Sequence, residues 1–233
     1  METKKCTFKI TNEVSVLLEY PSDAEVILNN VLAGEYDMHG SLNFRPVILD
    51  IGANVGFFTI WSLKRWKPLA VHCYEPLSSN FAWLENNING IPPCDVQFFL
   101  EKKAVEAPTN KLFIGKQNCG QATFIESRYS TKEYEEVESV SATSLPSCQI
   151  LKVDTEGCEK DIISNYLDTH ALPLLVTFEY HSDEDRKFLD EYMYSKGYLF
   201  FGGKSDSFGL GTVKYIINTL PIHYIDYGGK NGN

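Results

Sequence analysis

The chain has 233 residues, 43% hydrophobic and 22% charged, which is enough for one sizeable domain with a real core and short for two. Its 31 acidic against 21 basic side chains give a formal net charge of -10, which repels phosphate backbones and argues against an enzyme that tracks nucleic acid. The six cysteines are scattered, with no C-x-x-C pair and no histidines at ligand spacing. No apolar run reaches the roughly 20 residues that span a bilayer, and the first residues carry no secretory apolar stretch, so a reduced, cytoplasmic protein without zinc is expected.

In chain order, residues 8–20 read as a hairpin or small β-element. Pro21-Ser22-Asp23 reads as a turn and helix cap, followed by helical spacing over 24–32 up to Gly34. Residues 35–40 form a polar and aromatic link, a connector that could also cover a cofactor. Val47 to Leu49 is then a short β-branched run, as in a strand buried on both faces, and it leads through Asp50 into a turn with Gly52 and Gly56. A turn without Cβ atoms lets the backbone approach a ligand, and the next helix, 57–66, offers unpaired amides at its start.

Residues 69–75 are a second buried strand closed by Glu75 and Pro76. Ser78, Ser79 and Asn80 cap a helix over 81–89, and a third strand at 96–100 leads to Lys102, Lys103 and Ala104. Between 108 and 147 the pattern changes to short β-like runs separated by turn residues such as Gly115, Asn118 and Gly120. The parallel pattern resumes at 149–154, followed by a helix from Gly157 through 166, a strand at 172–180 and a helix at 183–195. Two antiparallel strands, 198–201 and 212–217, are joined by a loop over 202–211, and 227–233 reads as a disordered tail. Strands alternating with helices give an α/β, doubly wound sheet. The divisions are an N-terminal extension (1–45, a possible lid), a main domain (46–220, with an insertion at about 108–147) and a tail (221–233).

Ligands of such sheets bind beyond the carboxyl ends of the strands. Four acids, Asp50, Glu75, Asp154 and Glu179, fall at or next to those ends. Glu75, after the second strand, is placed to accept both hydroxyls of an adenosine ribose. Gly52 and Gly56 do not make a G-x-G-x-x-G turn, and Asp50 would face a pyrophosphate unfavourably. That acid suits a cationic ligand, such as the amino group and sulfonium of S-adenosylmethionine. No Lys-Ser or Lys-Thr follows the glycines, which excludes a P-loop.

The stretches DIGANVGFFT (50–59), YEP (74–76) with Asn80, KKAV (102–105) and above all LKVDTEGCEKDII (151–163) are similar to the FkbM family of class I S-adenosylmethionine-dependent methyltransferases. The resemblance runs over about 45–200 and implies a Rossmann-like, seven-stranded class I methyltransferase sheet with a small N-terminal β/α extension and a β insertion after the third core strand. By resemblance Asp50, Gly52, Asn54 and Gly56 cradle the methionine part of the cofactor, and Ala53, Phe57, Phe58 and Thr59 are also cofactor-binding. Glu75 holds the ribose, Pro76, Asn80 and Asp154 are also cofactor-binding, Lys103 or Ala104 lies near the adenine, and the segment with Asp154, Glu156 and Glu159 faces the transfer site.

The Leu-Asp pair common in relatives just before that signature is missing from Thr143-Ser144-Leu145-Pro146-Ser147. A hydroxyl nucleophile benefits from a base, and Asp154, Glu156 and His181 are the candidates. Asp154 and Glu179 alone do not define a metal site, and no metal is expected. The expected acceptor is a hydroxyl on a sugar or other small molecule, with neither nucleic acid nor membrane as partner. Two alternatives are a tRNA base methyltransferase of related fold, for which no N-P-P-Y-like motif is present, and a cofactor-binding or interaction protein without the chemistry.

Overall fold

The computed structural model describes residues 2–37, 41–115, 122–124, 133–207, 209–218 and 225–226. Its centre is a sheet of β1 (Val47–Ile51), β2 (Ala70–Tyr74), β3 (Gln97–Glu101), β4 (Ile150–Val153), β5 (Leu175–Tyr180), β6 (Tyr198–Ser207) and β7 (Leu210–Ile217). They lie in the order β6-β7-β5-β4-β1-β2-β3. The first five are parallel, while β7 runs antiparallel to both β5 and β6. The chain moves outward from β1 through β2 to β3 and then returns to the other side of β1 at β4. This reversal opens a crevice at the carboxyl ends of β1 and β4, where open α/β sheets bind ligands.

Side chains alternate along the strands and build a core on each face. Leu49, Ile51, Leu151 and Val153 pack with Ile162, Ile163 and Tyr166 of α4 (Glu159–Thr169) and with Leu189 and Met193 of α5 (Asp183–Ser195). On the other face, Ile48, Ile150 and Val71 pack with α2 (Phe57–Trp66), with Leu84 and Ile88 of α3 (Ser78–Asn89) and with Val31 of α1 (Glu25–Leu32). Each large apolar side chain buried in this way contributes roughly 1.5–3 kcal/mol. Asp50 and Lys152 alternate onto the α2 face, so two charged groups are committed to an otherwise apolar layer.

The N-terminal hairpin pairs Thr3–Lys9 with Ser15–Pro21. Pro21 belongs to its second strand, and a single 3-10 turn, Ser22–Ala24, leads into α1 without a side-chain cap. Helix α3 begins at Ser78, three residues before the sequence-based start, with the Leu77 carbonyl accepting from the Phe81 N–H at 2.9 Å and Glu135 of the insertion accepting from the Ser78 N–H at 3.2 Å. By contrast α5 spans 183–195 as read from sequence, with Ser182 accepting from the Asp185 N–H at 3.0 Å and three acids in its first turn.

The loop expected over 202–211 is mostly strand, since β6 runs to Ser207 and β7 starts at Leu210. Its glycines serve close strand approach: a Cβ on Gly211 would lie 2.3 Å from the Lys204 carbonyl, and the register shifts at two places. In the insertion, Lys111–Ile114 pairs with Ala122–Thr123 and with Tyr134–Glu136. Ser139–Val140 runs parallel to Ala104–Val105. The expected turn residues Asn118 and Gly120, part of the link at 38–40 and the tail at 227–233 lie outside the described residues.

Candidate active site

The turn after β1 is closed by its own hydrogen bonds. Gly52 and Ala53 donate to the Tyr74 carbonyl at 2.9 and 3.0 Å, Asn54 N–H to Glu75 Oε2 at 2.9 Å, Val55 N–H to Asn54 Oδ1 at 2.8 Å and Gly56 N–H to the Ala53 carbonyl at 2.9 Å. The amides of residues 52–56 are thus spent on shaping the turn, and what the glycines supply is room. Gly52 has φ +76°, and a Cβ there would stand 1.7 Å from the Asp154 carbonyl oxygen. Gly56 has φ +90°, and its Cβ would meet Leu84 at 2.9 Å. Only glycine lets the ends of β1 and β4 meet so closely.

Asp50 lies beneath this turn, wholly buried. Thr59 Oγ1 donates to its Oδ2 at 2.5 Å, and Lys152 Nζ stands 3.2 Å from its Oδ1. Lys152 also donates to the Gly52 carbonyl and lies 3.7 Å from Asp154 Oδ2. Asp50 therefore does not line the cavity. The direct contact with a cationic ligand expected from the sequence is replaced by a protein cation, because Lys152 is set opposite Asp50 in the β4 to β1 register.

Glu75 closes the next strand and does line the cavity. Its carboxylate accepts from the Asn54 and Leu77 amides, both at 2.9 Å. Burial pushes it up to about 7, with those two amides pulling the other way. Pro76, Asn80, Lys103 and Ala104 line the same end, and Val105, Leu112 and Phe124 give it an apolar wall. Two of these, Leu112 and Phe124, come from the insertion.

The other end is acidic. Asp154, Glu156 and Glu179 all line the cavity, with Glu35 and Tyr36 over them. The Tyr36 hydroxyl donates to Asp154 Oδ2 at 3.3 Å, and Glu35 Oε1 accepts from Thr212 at 2.7 Å, which ties the N-terminal segment down to the sheet. Burial and the neighbouring Asp154 charge raise Glu179 to about 9. Glu156 is held at φ +59°, a left-handed conformation that costs a non-glycine residue roughly 1–2 kcal/mol. Glu159 turns away: its carboxylate accepts from the Thr155 N–H at 2.8 Å and the Gly157 N–H at 3.0 Å, fixing the loop that leads into α4.

His181 is 6% exposed and sits behind the acids, 3.1 Å from both Glu156 Oε2 and Glu179 Oε2. It is not among the residues lining the cavity. Burial pulls its imidazole down, but Glu156, Glu159 and Glu179 together push it well above the usual histidine range.

The cavity holds about 180 Å³. It brings together Gly52, Ala53, Asn54, Phe57, Phe58, Glu75, Pro76, Asn80, Lys103, Ala104, Asp154 and Glu156 from the sequence-based set, while Asp50, Gly56, Thr59 and His181 lie behind its surface. Sequence reasoning named Glu35 and Tyr36 only as part of a link that could cover a cofactor, and missed Lys152 as part of the site. The lysine stood in view within the 151–163 signature; Glu35 and Tyr36 had no signal beyond lying in a polar link.

Residues 50–200 match the family model described as Methyltransferase FkbM domain. The chain belongs to the FkbM methyltransferase family. Its cofactor is S-adenosylmethionine, in keeping with the absence of a dinucleotide or P-loop turn. No curated protein sequence matches the chain. Among solved structures, the tRNA m1G37 methyltransferase of M. jannaschii is similar with a TM-score of 0.51 at 10% identity, over 93% of this chain and 57% of that one. Precorrin-6y C5,15-methyltransferase from Geobacter metallireducens GS-15 gives 0.47 at 11% identity, over 82% and 88% of the two chains. At such identities the first likeness speaks for the fold alone. Among the described residues of this FkbM methyltransferase no helix is long and apolar enough to cross a membrane.

Proposed function

We propose that this FkbM methyltransferase transfers a methyl group from S-adenosylmethionine to a hydroxyl of a sugar or other small molecule. One observation carries the reading: a single cavity joins Glu75 and its apolar wall at one end to Asp154 at the other. When bound, S-adenosylmethionine supplies an electrophilic methyl group on a positively charged sulfur. Glu75 would accept the ribose hydroxyls, and Val105, Leu112 and Phe124 suit a flat base. Gly52 and Ala53, which line the cavity, would lie against the methionine part.

Asp154 is our choice for the proton acceptor. It is 26% exposed, reaches the cavity, and is held by Tyr36 and Lys152. A base so positioned contributes about 10²–10⁴-fold, while holding the nucleophile in line contributes up to roughly 7–11 kcal/mol. Glu156 shapes the same end, and His181 acts from behind it. The acidic lining favours neutral or cationic acceptors over phosphorylated ones, which weighs against tRNA.

The test offers the protein radiolabelled S-adenosylmethionine with a panel of hydroxylated small molecules, and separately with bulk tRNA. Label in a methyl ether, reduced 10²-fold or more by Asp154→Asn with cofactor affinity kept, supports the reading. Label in tRNA, or transfer untouched by the substitution, overturns it.

A further inference from the structure

At the acidic end of the cavity, Glu156 and Glu179, with His181 behind them, each offer a donor atom, all within 4.8 Å of one another. The three come from two segments, the loop after β4 and the end of β5, whose Glu179 and His181 alternate onto one side. The imidazole meets carboxylates at both ring nitrogens as ion-pair contacts, without hydrogen-bond geometry. It is 94% buried, yet neither ring nitrogen has a hydrogen-bond partner among the described residues. Its Nε2 stands 3.1 Å from a carboxylate oxygen of Glu156 and 3.1 Å from one of Glu179, close to both and hydrogen-bonded to neither. Nδ1 faces Glu159 at 3.6 Å.

Donor atoms on neighbouring corners of an octahedral ion with bonds of about 2.1 Å lie about 3.0 Å apart. The spacing around Nε2 is that of a coordination edge; 3.1 Å is also a hydrogen-bond length, but no hydrogen bond of good geometry forms there. One imidazole with two carboxylates is a mixed donor set that suits a divalent first-row transition ion more than magnesium or calcium, which prefer oxygen alone. The carboxylate beyond Nδ1 is placed as the outer partner that orients a ligating histidine. Glu156 is held here by a left-handed backbone, in the loop that also presents Asp154.

We propose that Glu156, Glu179 and His181 bind one divalent transition-metal ion at the acidic end of the cavity. Three protein ligands leave positions open toward the cavity that Glu156 and Glu179 line. The ion would there hold an oxygen of the acceptor beside Asp154; this role, unlike the site itself, rests on the methyl-transfer reading. The ion also relieves the crowding of Asp154, Glu156 and Glu179, three carboxylates on one cavity wall.

The experiment titrates Mn²⁺ into the full chain at 150 mM salt, with free ion read from its paramagnetic resonance signal, so no acceptor or turnover is needed. One saturable equivalent is expected, lost or weakened at least tenfold in His181→Ala and in Glu179→Gln, with folding followed by circular dichroism. No saturable binding by the wild-type chain overturns the proposal even if the variants fail to fold. Binding that persists in either folded variant overturns it as well, as diffuse attraction to an acidic surface. Cofactor affinity measured on the same wild-type sample separates the two readings, since failure to bind S-adenosylmethionine would strike the methyl-transfer reading and leave the metal site standing.

Discussion

Lys152 and Asp50 face each other across neighbouring parallel strands, with Nζ 3.2 Å from Oδ1 and both side chains shut off from water. The pair explains a lysine inside a strand that is otherwise Ile, Leu and Val. Burial pulls the ammonium down, yet the Asp50 and Asp154 carboxylates hold it above the usual lysine value. Removing one partner of a buried pair strands the other, at about 3–5 kcal/mol. Lys152→Met should therefore lose that much stability in urea unfolding. A loss under about 1 kcal/mol would show that Asp50 finds another partner.

Glu75 gives a pH dependence with two opposite signs. Its folded pKa, about 7, lies above the ordinary 4.5. The folded chain thus binds more protons than the unfolded one between those values, and stability without cofactor falls as pH rises through that window. Affinity for S-adenosylmethionine should rise over the same range, because the ionised carboxylate is the better acceptor for ribose hydroxyls. Glu75→Gln should flatten the stability trend and weaken binding roughly tenfold or more at pH 8. Calorimetry and thermal melts at pH 5, 6, 7 and 8 check both; parallel slopes in wild type and variant would refute the assignment.

Gly52→Ala places a methyl group against the Asp154 carbonyl, at a backbone angle that disfavours side chains. Strain of that kind costs about 1–3 kcal/mol before any clash is counted. The expected result is a lower Tm together with lost cofactor binding, since relief requires the ends of β1 and β4 to part. Retained affinity at wild-type Tm would mean the turn is softer than its geometry indicates.

Tyr36→Phe removes one hydrogen bond to Asp154 and leaves the ring packed edge-on against Phe58. Stability should change by no more than about 1.5 kcal/mol. Methyl transfer should fall while cofactor affinity holds, because the lost contact lies at the acidic end. A drop in cofactor affinity instead would place Tyr36 in the cofactor's half of the cavity.

What was legible in the sequence was local. The run from Val47 to Gly56, the Glu75-Pro76 strand end and the Ser182 cap of α5 each carry their cause within a few residues. What was hidden depended on distant partners. Asp50 looked like a ligand contact because its neutralising lysine lies about a hundred residues further on. The Ser78 amide at the start of α3 is met by Glu135 from the insertion. Glycines 203 and 211 read as loop because a tight strand approach and a loop use glycine for the same reason, the missing Cβ. His181 read as a candidate base, and its place behind the cavity depends in part on Glu156 and Glu159 from a different segment.

The Glu135 contact has a consequence for how this protein can change. Its carboxylate sits on the first turn of the helix that follows Glu75 and Pro76 and bears Asn80, so the inserted segment is coupled to the cofactor end of the cavity. Exchanging that segment for a relative's version, in order to alter which acceptor is taken, would remove a helix cap in the same stroke. Swapped chimeras would fail first in retaining S-adenosylmethionine, and restoring a carboxylate at position 135 would be the first repair to engineer.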